Sequence, residues 1–341
     1  GNNLYQNGIK FTLTMQHSCS IMSDEFTRDI EDFAKICRVV KGIRNMRIGA
    51  IGARPSAFRT VRYSEKLLQL TGITVVTADL SEIIADAKKK TKDERVKDVI
   101  NEIKHYGRVA ADTENEKLIR QAGFYLAVND WLEENECQAS AIQCWDSLEK
   151  NYGIASCLAM SMMGEKGMPS ACEMDIMGAV SMYALSLASG VPSGYLDWNN
   201  GFAEDRNKCV MIHCANYPKS FMGREPEIGN LDILSLALGA ENCFGACKGV
   251  IASGDITFSK ISTDDFKGKI KAYVGEGKFI DSDISTPGSP GMVQIERMQS
   301  LLKYLCNNGF EHHVAMNRSK TSNVLKEAFE KYLGWEVYQH V

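Results

Sequence analysis

Apolar and polar positions recur with two different periods along this chain, and the change falls near residue 190. Residues 24–42 space Phe26, Ile30, Phe33, Ile36 and Val39–Val40 three or four apart, as one face of a helix requires. RIGAIGA, residues 47–53, is a short apolar run of the buried-strand kind. RPSAFRTVRYSEKLLQLTG then predicts a helix from about Val61, stopped at Gly72, and ITVVTADL a second apolar strand. Strand, helix and strand in succession predict a parallel sheet. Ahead of them, residues 7–16 (NGIKFTLTMQ) read as a turn followed by a strand. Residues 81–135 read as mainly helical and charged, QASAIQCW (138–145) as a strand, and SACEMDIMGAVSMYALSLASG as a long apolar helix ending at Gly190.

From Val191 onward short apolar runs, among them CVMIHCA, GVIASGDITFSKIS and GKIKAYVGEG, alternate with Gly, Pro, Asn and Asp turns. That is antiparallel β character. The chain closes with a strand (HHVAM), a helix (SNVLKEAFEKYLG) and a strand (WEVYQH). The expected fold is α/β: a parallel-sheet, Rossmann-like central domain over residues 1–188, followed by a β-rich, antiparallel or barrel-like C-terminal domain over residues 189–341. The chain opens on a helix end running straight into a strand, which leaves little room for the first half of a parallel sheet. A truncated chain, or a missing upstream domain, is the expectation.

A length of 341 residues, 44% of them hydrophobic, suits two cores rather than one. A formal net charge of -4 gives no electrostatic reason to expect nucleic acid. The basic run Lys88–Lys89–Lys90 sits among Asp86, Asp93 and Glu94 and reads as a solvated helix face. No stretch of about 18 uncharged apolar residues suggests a membrane span, and the opening GNNLYQNGIKF lacks the basic-then-apolar order of a signal peptide. Eleven cysteines, odd in number and irregularly spaced, read as reduced thiols and a cytoplasmic location.

The common catalytic signatures are missing. There is no GxxxxGK[ST], GxSxG or HExxH, and GAIGARPSAF is not the GxGxxG of a dinucleotide fold. What remains is a set of carboxylates and histidines at element ends. Glu173 lies where a Pro-containing turn enters the apolar helix, Asp197 in GYLDWNN at the end of a short strand, His213 within the strand CVMIHCA, and His312–His313 at the start of HHVAM. Carboxylate oxygens suit hard divalent cations, and imidazole adds borderline affinity. Each has a plainer reading too: Glu173 favours a helix N-terminus through the macrodipole, Asp197 suits a turn, and His213 suits a satisfied core position.

IGARPSAF, then MPSACEMDIMGA with YLDWNN about 20 residues on, and GFEHHVAMNRS with YLGWEVYQH near the end together resemble the L-fucose/L-arabinose isomerase superfamily, in its L-fucose isomerase-like branch. KGVIASGDITFSKISTDD, AYVGEG and STPGSPG are similar to the C-terminal domain of the same family. The resemblance implies an aldose–ketose isomerase using Mn²⁺ or another divalent cation, a cis-enediol mechanism, a monosaccharide substrate of the L-fucose, D-arabinose or L-arabinose type, and a homo-oligomer (trimer, tetramer or hexamer) without nucleic-acid or membrane partners. It implies metal ligands at Glu173, Asp197 and the His312–His313 pair, with His313 favoured because strand neighbours face opposite ways. It adds His213 as a further candidate, and Glu173 and Asp197 as the catalytic carboxylates. Gln143, Trp145 and Arg54 are candidate sugar contacts. Two other expectations stand beside this one: a sugar-binding or regulatory remnant without turnover, and an isomerase of a sulfonated or phosphorylated sugar, for which Arg54, Arg59 and Lys248 are the cations to inspect.

Overall fold

A computed structural model describes residues 1–284 and 286–341, with all their side chains save that of Asn200. Ser285, which opens the STPGSPG stretch, lies outside the described residues. Strands β1 (Arg47–Ile51), β2 (Thr74–Ala78), β3 (Arg108–Val109), β4 (Ala139–Ile142) and β5 (Ser170–Ala171) fall in the first part of the chain. β1, β2, β4 and β5 pair in parallel in the order β2-β1-β4-β5. Both neighbours of β1 follow it in the chain, β2 on one side and β4 on the other, so the strand order reverses at β1 and a crevice opens at the carboxyl ends of β1 and β4, where α/β sheets present ligand sites.

Local chemistry explains the helices around this sheet. The helix Asp24–Arg44 is capped by Ser23, whose side chain accepts from Phe26 N, carries Asp24 and Glu25 in its first turn, and has Lys41 and Arg44 in its last. The helix Glu65–Thr71 starts at Ser64 and stops at Gly72, which takes φ 98°, a left-handed conformation that glycine adopts without a Cβ clash. The helix Ile176–Ser189 is apolar nearly all round because it is covered on two sides. It packs with Ile48, Ala50, Ala139 and Ala141 of the parallel sheet, and with Ile261, Ala272, Val274 and Ala315 of the second sheet.

That second sheet comprises β6 (Ser193–Phe202), β7 (Asp205–Ile212), β10 (Gly254–Asp264), β11 (Lys269–Ile280), β12 (Gly291–Gln294), β13 (His313–Asn317) and β14 (Glu336–His340), with β8 (Glu227–Asn230) and β9 (Phe244–Lys248) set apart. The order is β10-β13-β6-β7-β12-β11-β14, and β10 also pairs with β11. Six strands thus close on themselves into a barrel, with β14 added in parallel beside β11. Closure leaves no free edge around the ring. β8 pairs with β9 and with β3, so a strand from the first part of the chain joins two from the second.

Residues 7–16 form no strand. A strand needs a ladder partner, and this stretch has none among the described residues. Thr12 instead bonds Glu327 and Tyr332, Lys10 bonds the Tyr332 carbonyl, and Leu13 and Met15 are exposed. Two further helices, Asp232–Leu238 and Met298–Asn307, interrupt the β-rich part ahead of HHVAM, where short strands and turns were expected. No helix among the described residues is long and apolar enough to cross a membrane.

Candidate metal centre

Glu173 follows the end of β5 in a turn where Glu173 and Met174 both take positive φ, 54° and 60°. For residues with a Cβ such backbone costs on the order of 1–3 kcal/mol each and persists where the surroundings impose it. Here the turn drives the Glu173 side chain into the space between the sheet and the barrel. One carboxylate oxygen is held: Oε1 accepts from Trp145 Nε1 at 3.2 Å and from the Cys144 thiol at 3.5 Å. The other, Oε2, is buried without a hydrogen-bond partner. It lies 3.6 Å from His213 Nε2 and 3.8 Å from His313 Nε2.

The barrel supplies the facing groups. β6 and β13 pair so that Asp197 lies opposite His313. Asp197 Oδ1, also buried without a hydrogen-bond partner, is 3.3 Å from His313 Nε2 and 3.9 Å from His312 Nε2. Glu173, His213 and His313 are all buried, and their donor atoms fall together; Asp197, His312 and His313 form an overlapping group. Cis ligands of an octahedral cation with bonds of about 2.1 Å stand roughly 3 Å apart. Two orphaned carboxylate oxygens facing ring nitrogens, at slightly larger separations, therefore fit a divalent cation well. Without one, each buried oxygen would lack compensation for its lost hydration.

The electrostatics agree with this layout. Burial works to raise the pKa of Glu173, but the His213 and His313 rings outweigh it and hold the carboxyl below its ordinary value. Burial likewise works against a charged His213, yet Glu173 lifts its pKa to about 9. His312 is lowered, by burial first and then by neighbouring His313. Burial pushes the Cys144 thiol up to about 12, and hydrogen bonding with Cys144 and Cys157, together with burial, lifts Cys172 well above its usual value. These thiols stay protonated beside Glu173, and Cys144 serves it as a hydrogen-bond donor.

Three sequence expectations change here. Asp197 is not at a strand end: β6 continues to Phe202, its ladder with β7 shifting register after Trp198. His213 lies one residue beyond β7, which ends at Ile212, and this exit turns its ring toward Glu173. His312 and His313 do not face opposite ways. His312 precedes β13, so strand alternation does not govern it, and the two rings lie 4.1 Å apart. They differ in depth: His313 is buried, whereas His312 is exposed and bonds Thr60 Oγ1 through Nδ1 at 3.3 Å.

The expected sugar contacts divide. Trp145 touches the site directly, through Glu173. Gln143 bridges the crevice, accepting from Ala53 N at 2.8 Å and donating to Ser147 Oγ at 3.1 Å. Arg54 directs its guanidinium at the carbonyls of Pro55 and Phe58 and so braces its own loop. Arg59 is exposed, and Lys248 is engaged with Glu227 and Asp232. Residues that sequence reasoning passed over complete the site. The Phe58 ring stacks over His312 and His313 and meets Trp145 edge-on at 5.3 Å between centroids. Asp175, Tyr195 and Lys260 gather behind His313. Asp175 sits two residues past Glu173 in the same motif, inside the stretch read as one long apolar helix; the helix in fact begins after it, at Ile176.

A parallel-sheet crevice is thus closed by a barrel, with carboxylates and histidines converging between them. The chain belongs to the L-fucose isomerase-like superfamily: residues 211–340 match the L-fucose isomerase C-terminal domain, and residues 1–44 match the fucose/sulfoquinovose isomerase N-terminal domain. It is similar to the sulfoquinovose isomerase of Alkalicoccus urumqiensis, 25% identical over 299 residues, covering 86% of this chain and 65% of that protein. It is also similar to that of Priestia aryabhattai, 26% identical over 286 residues, covering 82% and 61%. The chain thus spans under two thirds of the length of these relatives.

Proposed function

We propose that this chain carries the metal and proton-transfer site of an aldose–ketose isomerase, and that its substrate is an open-chain sulfonated sugar. The observation that carries the reaction class is the pair of buried, unpartnered carboxylate oxygens, Glu173 Oε2 and Asp197 Oδ1, meeting across His313. The substrate class rests on the relatives, which are sulfoquinovose isomerases. It displaces the L-fucose or arabinose expectation in favour of the sulfonated alternative. In this reading residues 1–188 and 189–341 act as two units, each contributing part of the site.

Glu173, Asp197, His313 and His213 would hold a divalent cation, Mn²⁺ being the expected one, with His312 at the rim. When bound, the cation supplies Lewis-acid stabilisation of charge developing on the C1 and C2 oxygens. The remaining work belongs to the protein. Glu173 takes the C2 proton as the C1–C2 double bond forms, while the proton leaving O2 is passed to O1. It then returns its proton to C1 as the C2 carbonyl forms. Trp145 and Cys144 fix one Glu173 oxygen, so the other is aimed. Asp197, partly open to solvent, moves the hydroxyl proton between O2 and O1. Phe58 and Trp145 cover the site and limit water around the enediol.

The test is to make Glu173→Gln and Asp197→Asn, then measure Mn²⁺ binding and conversion of sulfoquinovose, L-fucose and D-arabinose. Loss of both binding and turnover in each variant is expected, with sulfoquinovose the preferred substrate of the parent. Unchanged Mn²⁺ affinity and turnover in both variants would refute the site. Preference for an unsulfonated sugar would refute the substrate class alone.

A further inference from the structure

The helix Ile176–Ser189 begins at Asp175, whose Oδ1 accepts from Gly178 N at 2.7 Å. That is ordinary N-capping and occupies one oxygen. The other oxygen, Oδ2, is used quite differently. Lys260 Nζ from β10 reaches it at 2.5 Å, the Tyr195 hydroxyl from β6 donates to it, and His313 Nδ1 from β13 lies 3.2 Å away. All four side chains are fully buried. Tyr195 Oη is also 2.6 Å from His313 Nδ1.

A buried ion pair is a poor device for stability alone. Stripping both charges of water offsets most of their attraction, and an apolar pair of similar volume often does as well. Three barrel strands nevertheless deliver a lysine, a tyrosine and a histidine to one oxygen. Donor and acceptor chemistry then leaves a single consistent arrangement. Lys260 only donates, so it holds Asp175 as an acceptor-only carboxylate. The Tyr195 hydrogen is committed to Asp175, which leaves Tyr195 Oη an acceptor toward His313. Both groups facing His313 Nδ1 therefore accept, and the ring must carry its hydrogen there. The lone pair falls on Nε2, the nitrogen that faces Glu173 Oε2 at 3.8 Å and Asp197 Oδ1 at 3.3 Å.

We propose that Asp175, anchored by Lys260 and relayed by Tyr195, is a positioning residue that fixes the tautomer and ring orientation of His313 so that Nε2 is presented as a metal ligand. The inference rests on reading His313 as a ligand. Imidazole ligands are commonly tuned through the nitrogen that does not touch the cation. Here the tuning group also starts the helix that bridges sheet and barrel, so the two halves of the site are registered to each other through one carboxylate.

The experiment compares the intact chain with Asp175→Asn and His313→Ala, using Mn²⁺ alone as the probe. Asparagine keeps the size and the capping oxygen of Asp175 but offers an N–H to the ring. Mn²⁺ affinity is expected to fall about 10–100-fold in Asp175→Asn. ¹⁵N imidazole spectra of the metal-free protein, taken where the ring is neutral, are expected to show the hydrogen moving from Nδ1 to Nε2. A structural lesion alone would not produce that exchange. Wild-type Mn²⁺ affinity or an unmoved hydrogen in Asp175→Asn, with binding lost in His313→Ala, overturns the positioning role and leaves the metal site standing. Wild-type affinity in His313→Ala overturns both. If Asp175→Asn does not fold, Tyr195→Phe replaces it: a loss of threefold or more supports the role, and unchanged affinity overturns it.

Discussion

His313 faces Asp197 across the ladder between β13 and β6, with Nε2 3.3 Å from Oδ1. The pairing is built into the backbone: any slip of register by one residue would turn one of the two side chains to the other face of the sheet. His312 shares the neighbourhood without sharing this constraint. The first prediction follows from the difference. His313→Ala should weaken Mn²⁺ binding by at least the 10–100-fold that loss of even an outer-shell partner costs. His312→Ala, which removes an exposed ring, should change it less than fivefold. Titration of both variants with Mn²⁺ checks this, and a larger loss in His312→Ala would reverse the assignment.

Trp145 donates to Glu173 Oε1 at 3.2 Å and packs edge-on against Phe58. A hydrogen bond to a buried charge contributes about 1.5–3 kcal/mol. Trp145→Phe keeps most of the apolar cover and loses the donor. We expect kcat to fall roughly 10–100-fold, the rate equivalent of that energy, with a smaller change in KM. A change confined to KM would show that the indole contacts the sugar and does not aim the carboxylate.

Much of the first half of the fold is legible in the sequence because its signals are local. The apolar spacing of residues 24–42 announces a helix, Gly72 and Gly190 announce stops, and the apolar runs of β1, β2 and β4 have the length and composition of buried strands; the second helix starts at Glu65 rather than near Val61. The barrel was less legible. Its closure is a contact between β10 and β11 on one side and a chain of pairings through β13, β6, β7 and β12 on the other, and no local pattern specifies which strand meets which. The site shows the same division. Glu173 and Asp197 stand in conspicuous motifs, but their oxygens meet only through the β6–β13 register. Lys260 lies in an apolar strand where a charge should have drawn notice: a lysine in GDITFSKIS buried on both sides needs a buried anion, and Asp175 is that anion. The misread segment 7–16 failed for the opposite reason, since alternation without a neighbour makes no strand.

Away from the metal site, Glu149 is 1% exposed, and neither carboxylate oxygen has a hydrogen-bond partner. Burial pushes its pKa up to about 8, and the charge of Asp146 adds to the effect. The folded state therefore keeps a proton that the unfolded chain releases near its ordinary value of 4.5. The stabilisation is complete below that value and is lost as pH rises toward about 8, at about 1.4 kcal/mol for each unit. Above that it levels off. Glu149→Gln should flatten this part of the stability–pH curve and make the protein more stable than the parent at pH 8. Denaturant unfolding from pH 4.5 to 9 checks it; identical slopes in parent and variant would show that Glu149 does not carry the dependence.

Gly178 shows how tightly the helix Ile176–Ser189 must seat for the site to form. A Cβ at this position would stand 2.5 Å from Tyr195 Cε2 and from Tyr195 Oη. Neither the helix, held by Asp175 at its cap, nor the tyrosine, fixed between Asp175 and His313, has room to yield. Overpacking of this kind costs about 1–3 kcal/mol. The strain falls on the hydroxyl that contacts both Asp175 and His313, so stability and metal binding should suffer together. Gly178→Ala is expected to lower the melting temperature and to weaken Mn²⁺ binding in the same protein. A variant that melts lower yet binds Mn²⁺ with parental affinity would mean that Tyr195 can shift without disturbing His313, and that the tyrosine packs the helix without holding the ring.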